Sequence, residues 1–471
     1  MTNKETTASQ EQADEEITQK DPIAAIATPV GEGGIAVIRV SGKDAIRTVN
    51  RAFRGTDLTE QDSHTVHFGK IYDKNDQVVD EVLATLFHSP KSYTGEETVE
   101  ISCHGGVLVT QAVLEAMLEL GIRSAEPGEF TQRAFLNGKL ELSQAEAVAD
   151  LIHAKSQKAM DAAHQQLEGK LGEHIKQFRQ QIIDATAMVE LELDFVEEDV
   201  EFANKEELRE LLEELDNEID ELLATYETGR LVKHGVRTVF IGLPNAGKST
   251  LLNTLVGKDR AIVTDIAGTT RDTIDVDWSY DGIRFILTDT AGLRDTEDVV
   301  ESEGVRRSQK AFQEADLVVY LKDLSRELST EEREDIGELQ KGAGDTPFVL
   351  IGTKNDIALD VEDERLDYDL KISALEGEKI DELKKLMKQR ALENKEYDSS
   401  GLLVTSSRHR DALQNAQENV RSAMQALDRG MTGDFLAIDL RSALKDLGTI
   451  TGEITTEDIL DSIFSRFCIG K

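Results

Sequence analysis

One stretch, Gly242-Leu-Pro-Asn-Ala-Gly-Lys-Ser249, constrains this chain more than any other. It follows the apolar run Thr238-Val-Phe-Ile241 and precedes Thr250-Leu-Leu-Asn-Thr-Leu255, so the order is strand, glycine loop, helix. A phosphate loop needs that order. Glycine lets backbone N–H groups converge on phosphate oxygens at the positive end of a helix. Lys248 is placed to reach the β- and γ-phosphates, and the Ser249 hydroxyl to ligate Mg²⁺. An ordinary turn is the bland alternative, and motif and context together argue against it.

The surrounding text sets the loop in a domain of its own. From about 234 to 394 strand and helix alternate. Strands are expected at Thr238–Leu243, Arg284–Asp289, Asp316–Lys322, Pro347–Thr353 and Tyr368–Ile372, and helices near 249–256, 304–313 and 378–393. That is a doubly wound α/β pattern with a mostly parallel sheet. Helical text flanks it. Ser143-Gln-Ala-Glu146 reads as a capping box opening a long helix, and helical periodicity continues to about Leu231. Leu208, Leu211, Leu212, Leu215, Ile219, Leu222 and Leu223 share one stripe, which resumes at Leu413, Ala416, Val420, Ala423, Met424 and Leu427. The two helical segments are expected to pack together, so the α/β region is an insertion whose own ends lie close. Ahead of them, residues 1–21 form a polar tail read as disordered. Residues 22–137 mix strand-like runs (35–40, 81–87, 98–102) with helical ones near 44–53 and 107–120, as in a compact α+β domain. The expected divisions are therefore 1–21, 22–137, 138–233, 234–394 and 395–471. The fold class is multidomain: an α+β N-terminal domain, a discontinuous all-α helical domain and an inserted α/β P-loop domain of Ras-like kind.

A length of 471 residues suits about three domains. No apolar run is long enough to span a membrane, and the N-terminus lacks a signal peptide's apolar core. Two cysteines cannot make a disulfide framework, so a cytoplasmic home is expected. The net charge of −39 argues against the whole surface gripping nucleic acid, though a local basic patch stays open. It fits either adaptation to a salty cytoplasm or a generally acidic solvated surface. Two tempting motifs fail. Gly31-Glu-Gly-Gly34 precedes its strand, so it is no dinucleotide loop. Cys103-His104 with His64 and His67 lacks the spacing of a metal site.

The phosphate loop alone does not choose the base. Thr353-Lys354-Asn355-Asp356, at a strand end, makes the choice. A carboxylate only accepts, so Asp356 can take both the ring N–H and the exocyclic amine of guanine, a pair that adenine lacks. Lys354 would lie along the base, and Ser373-Ala374-Leu375 suits a backbone contact to guanine O6. The set resembles the five ordered motifs of a translation-factor-type GTPase. Thr353 departs from the usual Asn but keeps a hydrogen-bonding oxygen. Asp289-Thr290-Ala291-Gly292 matches the third motif: Asp289 holds Mg²⁺ through water, and the Gly292 N–H senses the γ-phosphate. Where Ras-like switches carry a water-orienting Gln, this chain has Leu293, so another group must do that work. The Asn245 amide oxygen and carbonyls of Thr264-Asp-Ile-Ala-Gly-Thr-Thr270 can ligate a monovalent cation that neutralises developing charge as an arginine finger does. Glu301 can orient water, although taken alone it reads more readily as a surface carboxylate in an acidic stretch.

Gly268-Thr-Thr-Arg-Asp272, Asn245 and the end Cys468-Ile-Gly-Lys471 make the chain resemble the MnmE (TrmE) family of tRNA-modification GTPases. The resemblance covers about 22–471 and includes Thr94-Gly-Glu-Glu97, His104-Gly-Gly106, Pro127-Gly-Glu-Phe130 and Arg133-Ala-Phe-Leu-Asn137. It implies that 22–137 is a folate-binding and dimerising domain, that 138–233 and 395–471 form the helical domain, and that 234–394 is the GTPase domain. It also implies a homodimer that works with a flavin-containing (FAD) partner in a heterotetramer or larger assembly. Its task would be a 5-carboxymethylaminomethyl-type modification of the wobble uridine (U34) of tRNA, with a tetrahydrofolate derivative (5-formyl or 5,10-methylene) as one-carbon donor and no membrane involved. By the same resemblance, K⁺ is held by Asn245, Thr264, Ile266 and Thr269, and Mg²⁺ by Ser249 and Thr270. GTP contacts fall on Asn245, Ala246, Gly247, Lys248, Ser249, Thr250, Thr264, Asp265, Ile266, Ala267, Gly268, Thr269 and Thr270, and on the third, fourth and fifth motifs named above. The catalytic Glu is Glu301. Folate contacts match Arg39, Glu100, Lys139 and Lys471. Arg39 and Lys139 suit the folate's glutamate carboxylates, and Glu100 the donor edge of the pterin. Cys468 is a candidate participant in the modification or a packing bystander, and its tail lacks the character of a lipidation signal. Two rivals stand beside this reading: a GTP switch without modification chemistry, of the ribosome-assembly type, and a dynamin-like scaffold. The folate-like domain and the Cys-Ile-Gly-Lys end count against the first, and the lack of a basic lipid-facing helix against the second.

Overall fold

The computed structural model describes residues 21–194, 205–258, 275–289, 309–359, 366–392 and 401–471. Of the polar tail, 1–20 lie outside the described residues. The chain divides into two compact units. One comprises Met1–Ala149, Gln166–Asp184 and Arg441–Lys471, the other Asp150–Gln165 and Ala185–Leu440.

The first unit is built on a seven-stranded sheet: β1 (Ile23–Ile26), β2 (Ile35–Ser41), β3 (Phe53–Arg54), β4 (Thr65–Tyr72), β5 (Val78–Phe87), β6 (Thr98–His104) and β7 (Arg123–Ser124). Their spatial order is β3-β4-β5-β6-β2-β1-β7, antiparallel except for the β1/β7 edge. Alternation along β2 sends Ile38 and Val40 into the core and leaves Arg39 between them on the other face. Helices Ala45–Asn50 and Val107–Leu118 bury Ile46, Val49, Val113 and Met117 in the same core. Gly105 allows two loops to touch: Gly33 N–H donates to Gly105 O at 2.9 Å, and a Cβ on Gly105 would lie 2.6 Å from Gly33 O. The C-terminal segment returns to this unit. Ile469 bridges to Pro127, and Gly470, at φ 101°, presses so close on β1 that a Cβ would sit 2.2 Å from Ile26 O.

The expected capping box is displaced by two residues. The helix begins at Leu142, and the Gln144 side chain accepts from the Glu141 N–H at 2.9 Å. Ser143, expected as the cap, is buried within the first turn. Leu142 is fully buried and belongs to the helix's apolar face, so packing draws the start ahead of Ser143. Among the described residues the helical text falls into Leu142–His153, Gln157–Leu167, Lys170–Asp194, Lys205–Ala224 and Tyr226–His234.

In the second unit the two leucine stripes meet. Helix Lys205–Ala224 packs on helix Ser407–Asp428 through Leu208, Leu212, Leu215, Ile219 and Leu222 on one side and Leu413, Ala416, Val420 and Ala423 on the other. Arg421 Nε to Asp216 at 2.7 Å and Gln417 Nε2 to Asp220 at 3.2 Å set the register. The unit's sheet comprises β8 (Val236–Ile241), β9 (Asp275–Tyr280), β10 (Ile283–Asp289), β11 (Leu317–Asp323), β12 (Phe348–Thr353) and β13 (Leu370–Lys371). Its order is β13-β12-β11-β8-β10-β9, parallel apart from the β9 edge. β9 was not expected, although its Val276, Trp278 and Tyr280 alternate as a strand should. The same is true of helix Thr330–Gly342, whose start carries a legible signal: Ser329 Oγ accepts from Glu332 N–H at 3.1 Å.

Because Ile219 is wholly buried at the helix–helix seam, Ile219→Ala should cost about 2–5 kcal/mol of unfolding free energy. A denaturant titration with unchanged midpoint would show that this seam contributes nothing.

Candidate functional site

The strand β8 ends at the phosphate loop, and helix Lys248–Lys258 starts at its lysine. Gly242, at φ 156°, runs so close to β11 that a Cβ would lie 2.4 Å from Leu321 O. Asn245 takes the left-handed conformation at φ 63° and its side chain is exposed, while Gly247 follows at φ 93°. Lys248 is buried and folds back on the loop, its Nζ donating to Gly242 O at 2.8 Å and Leu243 O at 3.0 Å. The ammonium thus holds the loop's shape from within. Ser249 and Thr250 are exposed in the helix's first turn.

The segment Thr353–Asp356, expected from the sequence to read the base, is tied to this loop. Thr353, at the end of β12 and 2% exposed, places Oγ1 2.7 Å from Ala246 O and 3.1 Å from Lys322 O. The hydroxyl thus takes up the task its oxygen made possible. Lys354 is left-handed at φ 57°, and its Nζ donates to Asp323 Oδ2 at 2.7 Å. Asn355 N–H bonds Ile372 O at 3.0 Å, and its amide donates to Glu378. Asp356 stands exposed in the short turn that follows, its carboxylate toward solvent. Ser373 is fully buried and its Oγ accepts from Glu376 N–H, Ala374 O accepts from Thr254 Oγ1 at 3.1 Å, and Leu375 is exposed. Sequence reasoning missed Asp323. Burial pushes its carboxyl up, but hydrogen bonds from Lys354 and Ser325 outweigh this and hold it below the usual carboxylate range. The sequence carries no signal for it: only the strand register sets Asp323 beside Thr353.

Asp289 closes β10, paired with Phe240 of β8. Thr264, Asp265, Ile266, Ala267, Gly268, Thr269, Thr270, Thr290, Ala291, Gly292, Leu293 and Glu301 lie outside the described residues.

A second cluster lies in the first unit. Arg39 on β2 and Glu100 on β6 are cross-strand partners, joined by Nη2–Oε1 at 2.8 Å and Nε–Oε1 at 3.0 Å. The guanidinium lies over the rings of Tyr93 (5.2 Å) and Phe130 (5.6 Å), and its Nη1 is buried without a partner. Lys471 joins them: burial and the charge of Arg39 push its ammonium below the usual range, against the pull of Glu100. Lys139 is exposed and its Nζ donates to Pro90 O at 3.1 Å. Cys468 is exposed, whereas burial pushes the Cys103 thiol up. His104 pairs with Asp80 at 2.8 Å, and no metal-holding cluster of His, Cys, Asp and Glu occurs among the described residues. No helix among them is long and apolar enough to cross a membrane.

Comparison with known proteins gives two family matches: residues 22–139 to the GTP-binding protein TrmE N-terminus, and residues 142–468 to the MnmE helical domain. The chain belongs to the MnmE family. The protein named tRNA modification GTPase MnmE in Salinibacter ruber is 49% identical over 461 residues, which cover 97% of this chain and 100% of that relative. The MnmE of Clostridioides difficile is 43% identical over 460 residues, covering 96% and 99%. A crystal structure of an Era variant from Aquifex aeolicus bound to GDP and AlF4⁻ is 25% identical, covering 39% of this chain and 65% of its own, with a TM-score of 0.27. The phosphate loop, the Thr353 tie and the Arg39–Glu100 pair all fall within the stretches the MnmE-family matches cover, and Lys471 lies just past the second.

Gly242→Ala should force β8 away from Leu321 O and cost about 1–3 kcal/mol, with a large loss of nucleotide affinity. Wild-type affinity for a fluorescent guanine nucleotide in that variant would contradict the close approach.

Proposed function

We propose that this chain, a tRNA modification GTPase by family, couples K⁺-promoted GTP hydrolysis to 5-carboxymethylaminomethyl-type modification of the wobble uridine (U34). The one-carbon unit comes from a tetrahydrofolate derivative, 5-formyl or 5,10-methylene. The observation that carries the modification chemistry is the buried, unpartnered Nη1 of Arg39 between Tyr93 and Phe130, with Glu100 and Lys471 alongside. A donor kept there without an acceptor suits a carboxylate-bearing ligand, and Glu100 supplies an acceptor for a pterin's donors. A bare GTP switch has no use for it. Lys139 would join from the exposed side, and Cys468 remains a candidate participant.

In the GTPase half, Lys248 and the loop amides bind the phosphates, and Asp356 takes the two donors of guanine while Lys354 covers its face. The residues fit the expected ions. The exposed hydroxyl of Ser249 with Thr270 suits Mg²⁺, and left-handed Asn245 with Thr264, Ile266 and Thr269 suits K⁺. These cations supply positive charge to the phosphates as negative charge shifts toward the leaving oxygen. Glu301 orients the attacking water in place of the absent Gln. The working form is a cytoplasmic homodimer with an FAD-containing partner. Nucleoside analysis of tRNA from a deletion strain tests the whole: the carboxymethylaminomethyl-type nucleoside should vanish, and its persistence would favour a switch without modification chemistry.

Hydrolysis should run much faster in K⁺ than in Na⁺ at equal ionic strength, and equal rates would remove the cation role of Asn245. Glu301→Ala should leave GTP affinity intact and slow turnover by about 10²–10⁴; lost binding would instead mark a structural role. Asp356→Asn should cut the preference for GTP over other nucleoside triphosphates at least about tenfold, as read by competition binding.

A further inference from the structure

We infer that Asp323 is a positioning residue for guanine recognition: it anchors the ammonium of Lys354 so that the lysine's four-carbon stem lies ready along the base. The inference rests on the reading that Thr353–Asp356 recognises the guanine of GTP. Asp323 ends β11 directly beside Thr353 at the end of β12, so the parallel register brings its carboxylate to the root of the base-reading segment. The carboxylate is 2% exposed and is held by three hydrogen bonds and a further ion pair. Oδ2 accepts from Lys354 Nζ at 2.7 Å and lies 3.4 Å from Arg326 Nε. Oδ1 accepts from Ser325 N–H at 2.9 Å and Ser325 Oγ at 2.6 Å.

The loop bearing these donors is itself fixed. The buried Lys322 donates to Asp323 O at 2.7 Å and Arg326 O at 3.0 Å, and it pairs with Glu332 at 3.5 Å. A buried carboxylate held by three hydrogen bonds has few rotamers open to it, whereas Lys354 is one-third exposed and would otherwise sweep several. Fixing its tip from behind removes that freedom before the nucleotide arrives, which lowers the ordering cost of binding. Asp323 touches no part of the nucleotide in this account. It acts only through Lys354.

The test is calorimetric titration of the whole chain with Mg²⁺–GTP and with Mg²⁺–tripolyphosphate, which carries the phosphates and no base. Asp323→Asn should weaken GTP roughly tenfold to hundredfold, the range of one charge-assisted hydrogen bond. It should leave tripolyphosphate within about twofold and add nothing further in a Lys354→Met background. Equal weakening of both ligands, or losses that multiply in the double variant, would overturn the inference. Should Asp323→Asn not fold, Ser325→Ala removes one donor from the same carboxylate. It should weaken GTP about threefold to tenfold, again only where Lys354 is present, and a loss that survives Lys354→Met would overturn it equally. A wild-type chain that binds GTP no more tightly than tripolyphosphate would instead remove the base-reading assignment underneath.

Discussion

The bond between Thr353 Oγ1 and Ala246 O, 2.7 Å long and sealed from water, makes one object of two chemistries. A phosphate loop recognises any nucleoside triphosphate, and a base-reading carboxylate alone holds nothing tightly. Joined through a buried hydrogen bond that reaches past the end of the intervening strand β11, they hold a fixed separation. A fixed separation is what allows one ligand to satisfy both without distortion. The strand order β12-β11-β8 places the two segments at the same sheet edge, and the open end of a parallel sheet is where such folds bind ligands.

The other unit reaches a comparable end by different means. There an arginine is made rigid by two aromatic rings and a cross-strand carboxylate, then left with its Nη1 amino group unsatisfied among the described residues. Keeping that donor out of water costs free energy, and a site can recover the cost only when something arrives to accept it. In each unit, then, the protein has fixed its charged groups before any partner is present.

Much of this was legible in the residues. The parallel strands β11 and β12 declared themselves because both faces of each are buried, so their apolar runs are nearly continuous. The helix stripes at Leu208–Leu222 and Leu413–Ala423 were readable from spacing alone. What escaped was set by neighbours far away in sequence. The start of the helix at Leu142 answers to apolar packing that Ser143 cannot announce. The antiparallel strand β9 is diluted by Asp275 and Asp277, the latter engaged by Arg284 at 2.7 Å. Asp323 looked like any acid because its importance depends on a lysine one strand over. Spacing finds elements, and only pairing finds partners.

Gly470 lies against Ile26, and this brings Lys471 to Arg39, so the Arg39 cluster joins residues separated by nearly the whole polymer. The entropy of closing such a ring grows only as the logarithm of its length. A ring ten times shorter would save about 2 kcal/mol. Threading an entire nucleotide-hydrolysing module between the two ends is therefore thermodynamically inexpensive. Such a cluster can accept an inserted domain between its two ends without first being rebuilt.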